Sequence, residues 1–148
     1  MPRPHPFRPD QFTATAFDTA EDKAKAANAL ASFVDAGMPY SKFSNAGVYH
    51  TLYQHMFSHI AHYDRDGFYD EWFSTPEARS RWIDYALNFG PWGYSIGDPG
   101  YTWADVEVAF VTWLNDSGIP HRVHREAEAT VERRELGVLA ALKEKYGE

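Results

Sequence analysis

The chain of 148 residues contains no cysteine. This excludes a disulfide framework, a thiol nucleophile and any iron–sulfur or thiolate zinc centre, and it is compatible with a reducing compartment. No basic run followed by an apolar stretch opens the sequence, and no window approaches the roughly 18 apolar residues of a membrane span. A soluble, cytoplasmic protein without membrane association is therefore expected. The alternation of apolar and polar residues that marks a half-buried strand is also missing, which leaves an all-α fold.

Cationic side chains are scarce in the middle of the chain. Residues 45–120 carry three basic and ten acidic residues, whereas residues 1–44 carry five of each and residues 121–148 six of each. The net charge of −7 thus arises wholly in residues 45–120. Such a surface repels a nucleic-acid backbone, which is bound mainly through Lys and Arg, and it favours a cation or a protein with a basic surface. Arg122, Arg125, Arg133 and Arg134 all have acidic neighbours, which also disfavours nucleic acid.

Aromatic residues are plentiful, at 16% of the chain, and with 44% hydrophobic residues overall they suffice for a core. The expected architecture is a single compact domain of five or six helices over residues 19–148, with a long C-terminal helix. An extended, proline-rich arm over residues 1–18 precedes it, because Pro2, Pro4, Pro6 and Pro9 fix φ and disfavour helix in the residue before each.

Capping and breaking residues divide the chain further. Thr19 with Asp22 opens a helix that ends at Gly37, burying Ala24, Ala27, Leu30, Ala31 and Val34. A second helix is expected from Asn45 to Tyr63, followed by a reversal at residues 64–67 and a short aromatic segment at 68–73. Thr75 and Pro76 open a helix reaching Asn88, with Trp82, Ile83, Ala86 and Leu87 inward and a Glu77–Arg81 pair outside. Four glycines and two prolines make residues 89–101 a loop. Thr102 and Asp105 cap a helix with Trp103, Val106, Phe110, Trp113 and Leu114 inward, ended by Gly118 and Pro120. The last helix spans His121 to Tyr146. Its polar first half is expected to project and its second half, with Leu136, Val138, Leu139 and Leu142, to dock.

Residues 48–63 concentrate the chemistry. On a continuous helix His55, His59 and His62 share one side, next to the apolar positions Val48, Leu52, Met56 and Ile60. His55 and His59 have the i, i+4 spacing that can place two imidazoles on one divalent transition metal such as zinc or iron. His62 is harder to include, since seven residues rise about 10.5 Å. Carboxylates just past the turn, Asp64, Asp66, Asp70 and Glu71, could complete a site, with Asp66 the chosen ligand. Against this metal-binding or metalloenzyme reading, the chain has no HExxH and no Glu-x-x-His motif. It also lacks a Gly-x-Ser-x-Gly elbow, and its glycine loop has no Lys-Ser/Thr ending to cradle phosphate.

The leading expectation is a protein without catalytic residues or cofactor that binds another macromolecule, most readily a protein, as an inhibitor, adaptor or complex subunit. The acidic, ring-rich positions Tyr63, Asp66, Tyr69, Asp70 and Trp72, together with Trp92, Tyr94 and Tyr101 in the loop, are the candidate contact residues. Large rings dominate interface energetics, and the acidic charge would select a basic partner.

Overall fold

A computed structural model describes residues 6–45, 47–55, 60, 63–88 and 102–147. The chain is all-α: the described residues form seven α-helices and one short 3-10 turn, Pro9–Gln11, with no strand. In order the helices are α1 (Ala20–Asp35), α2 (Tyr40–Asn45), α3 (Val48–Gln54), α4 (Arg65–Trp72), α5 (Pro76–Asn88), α6 (Ala104–Ser117) and α7 (Ile119–Lys145).

Local sequence fixes several of these ends. The Thr19 side chain accepts from the Asp22 amide and the Asp22 carboxylate accepts from the Thr19 amide, satisfying two donors at the start of α1. Thr75 Oγ1 accepts from the Ala78 amide, and Pro76 supplies a preset φ for the first turn of α5. Gly118, at φ +81°, ends α6 and begins α7, so the two helices meet with a single left-handed residue between them.

Seven helices exceed the five or six expected, for two reasons. After Gly37, Met38 also takes a left-handed conformation (φ +61°) while remaining 1% exposed, and this turns the chain directly into the short helix α2. Its amide donates to Phe33 O at 2.8 Å and its carbonyl accepts from Tyr69 Oη at 2.7 Å, which offsets the left-handed cost for a residue with a Cβ. Residues 64–72, expected as a reversal and a ring-rich segment, instead form a capped helix. Asp64 is its N-cap, and a side chain at Gly67 would meet the Asp64 carboxylate at 2.9 Å.

The centre is a cluster of rings. Phe43 lies 5.3–5.8 Å from Phe33, Tyr49, Phe68, Tyr69 and Phe73, and Phe73 passes the cluster on to Trp82 at 5.5 Å. Tilted and edge-on pairs of this kind stabilise by about 0.5–1.5 kcal/mol each beyond their burial. The five residues foreseen on the inner face of α1 are all buried, and Phe33 joins them.

The N-terminal arm packs on this core from residue 6 onward. Phe7 and Phe12 are buried, and Phe7 exchanges both of its backbone hydrogen bonds with the Asn28 amide side chain, at 3.0 and 3.1 Å.

The last helix reverses the expected arrangement. Its polar first half docks through Ile119, Val123 and Ala127, whereas residues 131–147 are exposed throughout. Leu136, Val138, Leu139 and Leu142 retain 46–60% of their accessible surface. Arg79 with Glu126 (3.3 Å) and Glu77 with Arg134 tie α5 to α7. The expected Glu77–Arg81 pair gives way to these, and Arg81 instead donates to Glu71 O and covers the Trp72 ring.

Candidate functional site

Helix α4 is built with one buried and one acidic side. Phe68 is fully buried and Phe73 follows it into the ring cluster, so Asp66 and Asp70, one turn apart on the other side, face solvent. Asp66 accepts a 2.5 Å hydrogen bond from Tyr40 Oη and lies 3.6 Å from Arg65 Nε. That hydrogen bond, followed by burial, holds the Tyr40 phenol above its usual range. Tyr63 precedes the cap, with its ring 92% exposed and its carbonyl accepting from Tyr49 Oη at 2.9 Å.

The structure separates the sequence candidates into three sets. Tyr63, Asp66 and Asp70 lie on or beside the exposed acidic side of α4. Tyr69 is half-buried, stands edge-on to Tyr40 and donates to Met38 O, so it supports the core, and burial raises its phenol pKa. Trp72, two residues beyond Asp70 and hence on the opposite side of the helix, is half-buried with the Arg81 guanidinium 4.5 Å above its ring. Trp92, Tyr94 and Tyr101 lie outside the described residues.

The histidine reading requires a continuous helix through residue 62, and α3 stops at Gln54. His55 is its C-cap, with φ −127° and ψ −82°, outside helical geometry. His59 and His62 lie outside the described residues. His55 stacks on Trp103, with ring centroids 4.1 Å apart and planes 11° apart, and has His50 as a neighbour at 6.2 Å. Burial, with smaller effects from His50 and Lys23, holds the His55 imidazole below its ordinary 6.5, against an opposing pull from Asp18. Asp66, the carboxylate assigned to this site, is engaged with Tyr40 and Arg65 on α4. Among the described residues no group of three His, Asp or Glu side chains is positioned to hold a metal ion.

Two polar assemblies were not foreseen from the sequence. Lys23 is 1% exposed, and its Nζ donates to Thr102 O at 2.7 Å and to both Asp105 oxygens at 3.1 and 3.3 Å. It lies 5.7 Å from the Trp103 ring centre, and Trp103 Nε1 donates to Asp18. A cavity of about 410 Å³ adjoins it, lined by residues 13–16, Thr102 and Asp105. The available signal was position, because Lys23 stands four residues before Ala27 on the apolar stripe of α1.

The second assembly is a groove of about 690 Å³ between α5 and α7. Glu77, Asp84, Glu128, Glu132 and Glu135 line it above an apolar floor of Ala127 and Val131. His124 Nε2 sits 2.9 Å from Asp84 Oδ1. This groove exists because the first half of α7 docks, signalled by the four-residue spacing of Ile119, Val123, Ala127 and Val131.

Compared with protein-family models, curated proteins and solved structures, the chain matches none of them. No helix among the described residues is long and apolar enough to cross a membrane.

Proposed function

We propose that this protein works by binding another protein, recognising a basic surface through the acidic side of α4 with Tyr63 as its anchoring ring. The observation that carries this reading is Tyr63, a large side chain 92% exposed beside the exposed carboxylates Asp64, Asp66 and Asp70. Rings of this kind supply contact area at low entropic cost, and clustered like charge selects the partner and speeds encounter. Trp72 belongs to the core-supporting side and is left out of the contact set. Roles as an inhibitor, adaptor or complex subunit all fit this chemistry.

The test is affinity capture from cell extract with wild type, Tyr63→Ala and Asp70→Lys, followed by a salt titration of the captured complex. Loss of the same partner in both variants, with an unchanged circular-dichroism melt and weaker capture as salt rises, is the expected result. A partner captured equally well by all three proteins would remove this surface from the reading.

A further inference from the structure

The apolar residues of α7 do not stop where α5 stops. Ile119, Val123 and Ala127 are buried in the docked half, and a second apolar row of Val131, Val138, Leu139, Leu142 and Tyr146 follows, turned about a quarter turn or more round the helix from the docked one, on the side of the acidic groove. α5 begins at Pro76, and its Glu77 reaches Arg134, so no described element accompanies the stripe beyond that point. Val138 is 57% exposed, Leu139 49%, Leu142 46% and Tyr146 67%. Gly137 sits inside this half, and a helix interrupted by glycine and lacking tertiary cover is marginal in water.

We propose that the exposed half of α7 pairs antiparallel with the same half of a second copy of this chain. Charge selects this occupant. The stripe begins acidic, with Glu128, Glu132 and Glu135, and ends basic, with Lys143 and Lys145. A parallel pair would set like charges level with one another. An antiparallel pair centred on Leu139 sets Glu135 level with Lys143, four residues to either side, and Arg134 level with Glu144, five to either side, against one like-charge match of Arg133 with Lys145 at six; symmetry repeats each. The same alignment carries the basic end of one helix towards the acidic groove of the other copy, where Val131 continues the apolar floor. The second copy would thus cover the exposed apolar row beside the groove and bury it in a two-helix seam.

Sedimentation of the full chain over roughly a hundredfold range of concentration tests this. The expected result is a reversible dimer that Leu139→Glu with Leu142→Glu converts to a monomer that keeps the cooperative melt of the core at a lower, concentration-independent midpoint. Glu135→Lys or Lys143→Glu alone should weaken the dimer about two- to fivefold, and the two together should restore it. A monomer at every concentration would assign this face to a different protein and overturn the proposal. So would a dimer that survives the leucine substitutions, or one that the paired charge reversal fails to restore.

Discussion

The two halves of α7 differ in chemistry and in surroundings, and they differ in the unexpected direction. Residues 119–130 include four charged side chains and two histidines, yet they dock through Ile119, Val123 and Ala127. Residues 131–145 contain Leu136, Val138, Leu139 and Leu142, yet all of them are exposed. Docking therefore follows register against a neighbouring surface and not the average hydropathy of a segment. Three apolar residues spaced four apart, one of them as small as Ala127, suffice when α5 lies opposite.

The strongest way to break this comparison is to exchange the burden between halves. Val123→Asp places a carboxylate in the α5–α7 contact and is expected to cost about 3 kcal/mol or more in chemical denaturation. Leu139→Asp, measured at a concentration too low for association, should stay within about 0.5 kcal/mol of wild type. Equal losses in the two variants would mean that both halves are docked.

Acid sharpens the contrast between the His55 region and the α5–α7 contact, because the two lose stability in different windows. His55 is held below its ordinary 6.5, so its neutral form is favoured in the fold and the unfolded chain binds the proton more readily. Its contribution is complete above pH 6.5 and is lost as pH falls towards the folded value. In His55→Phe this upper part of the stability profile should flatten, as read from thermal melts between neutral and mildly acidic pH. An unchanged profile would exclude His55 as its source.

The Arg134 hydrogen bond holds the Glu77 carboxyl below its ordinary 4.5, so that contribution is present above pH 4.5 and is lost as pH falls through the folded value. Arg134→Gln should be slightly less stable than wild type at neutral pH and should show a shallower decline below pH 4.5. Its curve is expected to meet that of wild type in stronger acid. Parallel curves would show that the pair contributes nothing measurable, as many exposed ion pairs do.

The starts of α1 and α5, the end of α6 and the inner face of α1 were legible in the sequence because each has a local physical cause, whereas the expected Thr102–Asp105 cap is absent: Trp103 is the N-cap of α6 without a side-chain hydrogen bond, and Asp105 turns to Lys23 and Thr13. Thr19 with Asp22, Thr75 with Pro76, and Gly118 act through bonds and dihedral limits within a few residues of themselves. Features that depend on distant partners were not legible. Met38 adopts its left-handed conformation because Phe33 and Tyr69 bond its backbone, and Lys23 is buried because Asp105 and Thr102 approach from 79 to 82 residues away. The end of α3 at Gln54 leaves His55 outside helical geometry and stacked on Trp103. The exposure of Asp66 and Asp70 was legible from charge alone. The division between Tyr63, at the surface, and Tyr69, in the core, required knowing that residues 65–72 coil into a helix.

The bonds to Lys23 carry a consequence for how the chain is joined. Lys23 with Asp105 and Thr13 with Asp105 connect α1 and the arm to α6, while Arg79 with Glu126 and Glu77 with Arg134 connect α5 to α7. Every one of these links spans the stretch between Asn88 and Thr102. The helical hairpin of α6 and α7 is therefore fastened to the earlier helices at two places, by the buried Lys23 cation at the start of α6 and by ion pairs along α7, which makes it part of one cooperative unit with them.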